Sequence, residues 1–167
     1  TEQDVLKDAA KLTFANGDPN STSGNLVPGY YVFAKNNVDA NKIFKRTLNA
    51  NHESNAMAVA NKQVDVGTFN TEGWAMMEKK NPDIVKKLKI VWKSPEIPSD
   101  PLVWRKDMDD ASKQKIKTFL MSYGSTPEEK KVLDALGWSK FRESNNEQLK
   151  PIRELEEFKK QAAAKAA

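Results

Sequence analysis

Three consecutive hydroxyl side chains close the turn Asn16-Gly17-Asp18-Pro19-Asn20-Ser21-Thr22-Ser23-Gly24, ahead of a helix predicted over residues 26–35. The first N–H groups of a helix lack intrahelical partners and carry partial positive charge, and each hydroxyl adds a rotatable donor. The turn therefore predicts an oxyanion site of Ser21, Thr22 and Ser23 that needs no Lys or Arg. Because Ser, Thr and Asn before a helix are also ordinary N-caps, a purely structural cap remains the alternative.

Strands and helices alternate outward from this turn. Apolar runs predict strands at 12–14, 46–50, 64–68, 88–92 and 102–104, with helices over 1–10, 26–35, 39–44, 52–61 and 70–79. The alternation predicts an α/β fold with a mostly parallel sheet flanked by helices. Beyond Arg105 the pattern is helical, and it predicts C-terminal helices over 110–122, 128–136 and from 151 onward.

Polar side chains follow the predicted strands at their carboxyl ends, where parallel sheets bind ligands. The hydroxyl turn follows the first strand, His52 the second, Glu72 the third and Asp100 the fourth. Each has a structural explanation when taken singly: His52 as a residue near a helix cap, Glu72 as a helix-dipole charge and Asp100 as a turn residue before Pro101. Taken together, they predict a site with an anion-binding side and a cation-binding side.

The composition excludes several classes of function. The 27 basic and 23 acidic residues give a net charge of +4 and are interspersed, so nucleic acid is not an expected partner. The chain has no Cys and a single His, so no disulfide, metal site or cofactor is expected. No apolar run is long enough to cross a membrane and no signal pattern opens the chain, so any export signal is expected to lie upstream or to have been removed.

Further ordered motifs extend along nearly the whole chain. They are Pro28-Gly29-Tyr30-Tyr31, Asn51-His52-Glu53-Ser54-Asn55, Ala58-Val59-Ala60-Asn61-Lys62-Gln63-Val64-Asp65-Val66, Pro98-Ser99-Asp100-Pro101, Val103-Trp104-Arg105-Lys106, Thr126-Pro127-Glu128-Glu129-Lys130 and Leu136-Gly137-Trp138. Together with the hydroxyl turn they resemble the periplasmic phosphonate-binding proteins of ABC transporters. The resemblance implies one lobe of a type II periplasmic-binding-protein fold, with a ligand-binding α/β lobe over 1–100 and a hinge-return strand and C-terminal helices over 101–167.

The resemblance also implies a ligand and residues that bind it. Phosphonate oxygens would be held by Ser21, Thr22 and Ser23 with help from His52, and the amino group of 2-aminoethylphosphonate would be received by Glu72 and Asp100. Phosphite, phosphate or another oxyanion is the alternative ligand. The implied partner is the membrane permease of an ABC importer, and the implied location is the periplasm or a lipid-anchored extracytoplasmic site.

Only the second lobe and the C-terminal segments of that family are matched, so we expect the chain to be a fragment without the first lobe. Half a cleft leaves a ligand solvated on one side, which predicts weak binding by the chain alone. The surface left by the missing lobe also predicts a homodimer.

Two other classes of function remain as alternatives. A hydrolase or transferase would use His52 with Glu72 or Asp100 and a Ser nucleophile, but the turn lacks the Gly-x-Ser-x-Gly elbow, so we do not expect an enzyme. A helical, self-associating interaction fragment would keep the hydroxyl turn without a ligand.

Overall fold

The structure is a computed structural model that describes residues 1–166, and these form two compact units. The first unit contains residues 1–97 and 151–166, and the second contains residues 98–150. The functional division into 1–100 and 101–167 remains a prediction. The compact units differ from it because the last helix belongs to the first unit.

The first unit is built on a three-stranded parallel sheet. Its strands are β1 (Thr13–Gly17), β2 (Arg46–Ala50) and β3 (Val66–Gly67), in the order β2-β1-β3. Gly17 at the end of β1 lies opposite Ala50 at the end of β2. The predicted parallel sheet is therefore confirmed, and the bounds predicted for β2 are correct.

Helices surround this sheet, and polar caps set where most of them begin. They are α1 (Glu2–Asp8), α2 (Ala40–Ile43), α3 (His52–Ala60), α4 (Thr71–Lys80), α5 (Pro82–Val85) and, at the C-terminus, α8 (Lys150–Ala166). The side chains of Asn51 and Asn70 accept backbone N–H groups at the starts of α3 and α4. These caps satisfy donors that the first helical turn leaves without partners.

The core of the first unit forms around Phe14 in β1, which is 2% exposed. Its ring stacks on Phe44 at a centroid distance of 4.6 Å and meets Phe33 edge-on at 5.5 Å. Burial of such rings supplies most of the stabilisation that a small parallel sheet needs. The cluster fixes β1 as the central strand, so the end of β1 has a defined position.

The helix after the hydroxyl turn differs from its prediction. It spans residues 22–36, begins at Thr22 rather than Leu26, and consists largely of wide turns with i→i+5 hydrogen bonds. Pro28 lies inside it, and a proline has no N–H and crowds the carbonyl four residues earlier. Widened turns relieve that crowding. We call this element the wide helix.

Two predicted strands are absent from the part of the chain that the structure describes. Residues 88–92 and 102–104 lie in a segment, 88–105, that has neither helix nor strand. β3 pairs over two residues, which leaves little edge for a fourth strand, and Pro95, Pro98 and Pro101 remove ladder donors. The predictions of a fourth strand and of a hinge-return strand are therefore wrong.

The second unit contains α6 (Asp110–Ser122) and α7 (Pro127–Leu136). The bounds predicted for α6 are correct, and α7 begins at Pro127 after a capping box of Thr126 and Glu129. Ile116 and Phe119 on α6 are 36% and 59% exposed. The homodimer predicted from the sequence remains a prediction.

Two glycines allow the wide helix to approach the end of β1. A Cβ on Gly17 would lie 2.4 Å from the carbonyl carbon of Gly24, and that contact is with backbone, which cannot rotate away. Asn25 strengthens the approach, because its Nδ2 donates to the Gly17 carbonyl at 3.1 Å. The strand end and the helix start are therefore held in direct contact.

We expect Gly17→Ala to destabilise the fold by more than about 2 kcal/mol, because its methyl group overlaps the Gly24 backbone. Gly29→Ala is the matched control, since nothing lies within 4 Å of a Cβ there, and we expect it to be neutral or stabilising by up to about 1 kcal/mol. Urea unfolding followed by circular dichroism measures both. Equal midpoints for the two variants would contradict the close contact.

Candidate ligand-binding site

The hydroxyl turn forms the N-terminus of the wide helix. Ser21 is the N-cap, and its Oγ accepts the Gly24 N–H at 3.0 Å. The Ser21 carbonyl accepts the N–H groups of Asn25 and Leu26 at 3.1 and 3.0 Å. The N–H groups of Thr22 and Ser23 come before these first intrahelical bonds, so they are placed as donors for an external acceptor.

His52 and Ser23 are brought together from different elements. His52 is the first residue of α3, directly after β2, and its Nε2 lies 2.9 Å from Ser23 Oγ. The imidazole rests against Gly24, where a Cβ would come within 2.9 Å of His52 Cε1. The absence of a side chain at residue 24 therefore makes room for the ring.

The imidazole of His52 favours its neutral form. Burial lowers the pKa of His52 from 6.5, because the charged form loses solvation, and the Glu72 carboxylate opposes this in part. The His52 Nδ1 is buried and has no hydrogen-bond partner within residues 1–166. A second proton at that nitrogen would have no acceptor, which agrees with the lowered pKa.

Glu72 lies in the first turn of α4, close enough to His52 to act on its pKa. The carboxylate side chain is exposed. Beside it, a groove of about 320 Å³ is lined by residues of α3, α4 and the loop between β3 and α4, among them His52, Phe69, Asn70 and Met76. Glu72 and His52 thus occupy one neighbourhood.

Asp100 is exposed and belongs to the second unit. The sequence prediction placed it after a fourth strand, which is wrong because residues 88–92 form no strand. Its contribution to the site therefore remains a prediction that rests on the resemblance.

Two residues that support the site were missed by sequence reasoning. Asn55, 1% exposed on α3, donates through Nδ2 to the Asn16 carbonyl at 2.9 Å and so ties α3 to β1. Lys159 on α8 donates through Nζ to the Pro19 carbonyl at 3.0 Å and steadies the hydroxyl turn. The sequence gives no signal for either contact, because the burial of Asn55 is known only from the structure and 140 residues separate Lys159 from Pro19.

The residues that the structure describes contain no group of three or more His, Asp or Glu side chains arranged to hold a metal ion. Over the same residues, no helix combines the length and the apolar character needed to cross a bilayer.

A parallel α/β unit with hydroxyl groups, helix N–H groups and one imidazole at the carboxyl ends of its strands has polar groups at the sheet edge where open α/β folds bind ligands. Residues 2–149 match the family described as ABC transporter, phosphonate, periplasmic substrate-binding protein. The chain therefore belongs to the phosphonate-binding family of periplasmic ABC substrate-binding proteins.

Individual relatives agree with this family. The chain is 58% identical over 163 residues to the phosphonates-binding periplasmic protein of Escherichia coli K12, covering 98% of this chain and 48% of that protein. It is 26% identical to a probable ABC transporter phosphite-binding protein of Prochlorococcus marinus MIT 9301, covering 90% of this chain and 52% of the relative. The chain thus spans about half the length of the curated relatives it matches.

A solved structure supports the fold. The binding protein component of an ABC phosphonate transporter from Pseudomonas aeruginosa superposes with a TM-score of 0.89 at 61% identity, over 96% of this chain and 53% of that one. The expected type II periplasmic-binding fold is confirmed by this match.

We expect acid to destabilise the chain through His52. The unfolded imidazole has the ordinary pKa near 6.5 and the folded one a lower pKa, so the unfolded chain binds more protons as the pH falls below 6.5. The contribution to stability is therefore full above 6.5 and is lost as the pH falls toward the folded pKa. Thermal unfolding of the wild type and His52→Gln across this range measures the effect. Parallel pH profiles for the two proteins would show that His52 titrates equally in both states.

Proposed function

We propose that the chain binds the oxyanion of a phosphonate at the N-terminus of the wide helix, as part of the solute-binding component of an ABC importer. The observation that carries the proposal is the convergence of Ser21, Ser23 and His52 beside the N–H groups of Thr22 and Ser23, which come before the first intrahelical bonds. Phosphonate, phosphite and phosphate share the tetrahedral oxygens that such donors recognise. The names of the relatives favour phosphonate or phosphite over other oxyanions.

The electrostatics of this site suit the binding of an anion by neutral donors, without a cationic side chain to neutralise its charge. The backbone N–H groups of a helix N-terminus stabilise an oxyanion from fixed positions, and the short hydroxyl side chains beside them need little ordering. The neutral state of His52 is consistent with this, because its pKa is lowered by burial.

We propose further that the ligand carries a cationic substituent, as in 2-aminoethylphosphonate. Glu72 supports this, since a carboxylate beside a bare phosphate would repel it, whereas an ammonium group would neutralise that carboxylate. Asp100 is proposed as a second acceptor on the basis of the family resemblance alone.

A binding role fits the site better than catalysis. In the Ser-His-Asp triad a carboxylate holds the Nδ1 proton of the histidine, whereas within residues 1–166 no group accepts a hydrogen bond from His52 Nδ1. The relatives are named as binding proteins. We therefore propose that the chain is not an enzyme and acts in the periplasm with a membrane permease.

We expect 2-aminoethylphosphonate to raise the thermal midpoint of the chain only at high concentration, because the chain spans about half the length of its relatives. A ligand present at its own Kd stabilises the native state by about 0.4 kcal/mol, which corresponds to a shift of about 1 °C for a chain of this size. Scanning calorimetry with increasing phosphonate, beside phosphate, measures the shift. Micromolar affinity by isothermal titration would contradict weak binding.

Variants in the hydroxyl turn locate that binding. Thr22→Ala removes one of the three hydroxyl groups at the start of the wide helix and should reduce the shift, while the backbone N–H donors stay in place. Thr71→Ala is the matched control, because Thr71 is the first residue of α4. A phosphonate-dependent shift that survives Thr22→Ala unchanged would move the binding site away from this turn.

We expect Glu72→Gln to reduce the preference for an ammonium-bearing ligand. The variant deletes the negative charge while keeping the shape, so the shift with 2-aminoethylphosphonate should fall toward that with methylphosphonate. Glu78→Gln, on the last turns of the same helix, is the control. An unchanged difference between the two ligands in Glu72→Gln would contradict a role for this carboxylate.

A further inference from the structure

The two ring nitrogens of His52 have different surroundings. Nε2 lies 2.9 Å from Ser23 Oγ, whereas Nδ1 is buried without a partner among the residues described here. A neutral imidazole has one N–H and one bare nitrogen, and a serine hydroxyl both donates and accepts. Two arrangements of protons therefore fit the same heavy atoms, and they have opposite consequences for a ligand.

In the first arrangement the proton is on Nδ1. That N–H would be a buried donor without an acceptor in the described part of the chain. Nε2 would then accept from Ser23, so the serine proton would point at the imidazole. The lone pairs of Ser23 Oγ would face outward and would repel an oxyanion.

In the second arrangement the proton is on Nε2 and is donated to Ser23 Oγ. Nδ1 then carries a bare lone pair at the first residue of α3, where the partial positive charge of the helix N-terminus favours a lone pair over an N–H. Ser23 has accepted its hydrogen bond from His52, so its own proton is free for another acceptor. Nδ1 lacks a partner among the described residues in either arrangement, so it is the helix N-terminus that favours the arrangement in which Ser23 is a donor.

We infer that His52 is a neutral positioning residue whose Nε2–H donates to Ser23 Oγ and so commits the Ser23 hydroxyl proton to the bound oxyanion. The inference rests on the proposed function, because it assigns the oxyanion to the hydroxyl turn. It deepens that function by making His52 act through Ser23 rather than through a positive charge.

Charged groups around the ring are consistent with a neutral His52. Glu72 on α4 raises the pKa of His52, but desolvation of the ring is the larger effect. Glu53, the next residue on α3, and Lys80 on α4 line the same groove and are exposed to solvent, which screens them. Ligand affinity is therefore expected to depend on the ionisation of the ligand and not on protonation of the imidazole at neutral pH.

A site in which every group facing the ligand is a hydrogen-bond donor also selects the ionisation state of the ligand. The N–H groups of Thr22 and Ser23 only donate, and Ser23 Oγ donates once it has accepted from His52. A protonated phosphonate oxygen would place its own O–H donor against one of these protein donors. An ionised phosphonate oxygen can instead accept a hydrogen bond from any of them. The inference therefore predicts stronger binding of the dianion of a phosphonate than of its monoanion.

The single His of the chain makes the tautomer directly measurable. In a chain labelled with ¹⁵N-histidine, the two-bond ¹H–¹⁵N spectrum at pH 7.5 contains one imidazole. We expect the pattern of a neutral ring with a protonated Nε2 and an unprotonated Nδ1, without any ligand. A protonated Nδ1, or two protonated nitrogens, would overturn the inference whatever the chain binds.

A variant set tests the relay through Ser23, with the phosphonate-induced midpoint shift as the readout. His52→Gln keeps a neutral N–H donor and should retain most of the shift, whereas His52→Leu should lose it. In a Ser23→Ala background, His52→Leu should cause no further loss, because its effect passes through the missing hydroxyl. Circular dichroism of each variant without ligand checks that the fold is kept.

The outcomes separate the two proposals. A loss on His52→Leu that is equally large with and without Ser23 would show direct contact between His52 and ligand and would overturn the relay. If the wild type shows no shift with 2-aminoethylphosphonate or phosphate, the proposed function of the chain fails, and the tautomer spectrum alone decides the inference.

Discussion

The candidate site depends on one close backbone contact, that of Gly17 at the end of β1 with Gly24 in the wide helix. A Cβ on Gly17 would lie 2.4 Å from the Gly24 carbonyl carbon, and a Cβ on Gly24 would lie 2.9 Å from His52 Cε1. Because neither residue carries a side chain, the end of β1 can contact the start of the wide helix, and the imidazole of His52 can pack against that start. The hydroxyl groups of the turn owe their positions to this contact, which Asn25 and Lys159 reinforce with hydrogen bonds to neighbouring carbonyls.

The same contact positions the backbone donors of the proposed anion site. The wide helix begins at Thr22, and Ser21 Oγ satisfies the N–H of Gly24. The N–H groups of Thr22 and Ser23 come before the first intrahelical bonds. These donors belong to the backbone, so they need no side-chain ordering when a ligand arrives. Flexible Lys or Arg side chains would attract an anion by charge alone, whereas fixed donors favour an anion whose oxygens match their positions.

The sequence predicted the elements whose signals are local. The strand at 46–50 and the helix at 110–122 were predicted with correct bounds, because alternation, caps and apolar periodicity lie within each segment. The strands at 88–92 and 102–104 failed because a strand exists only where another strand offers an edge, and β3 offers two residues. The start of the wide helix was missed because Pro28 indicated a first turn, although it lies within the helix. The assignment of residues to the candidate site stays a prediction. The contact of Ser23 with His52 could not be predicted from the sequence, because it depends on the approach of two elements.

The hydrogen bond between Ser23 and His52 has the length found in hydrolases, yet the surroundings of His52 do not favour a nucleophilic serine. A nucleophilic serine gives its proton to an unprotonated Nε2, so the neutral imidazole must carry its own proton on Nδ1, which a carboxylate holds in the Ser-His-Asp triad. Here Nδ1 is buried without a partner in the described part of the chain, and burial lowers the pKa of the imidazole. Such a histidine is a weak base, and one that donates from Nε2 cannot accept the serine proton there. The arrangement that would impair a nucleophile is the one that turns a hydroxyl into a fixed donor, so the same pair of side chains favours holding an oxyanion over attacking its ester.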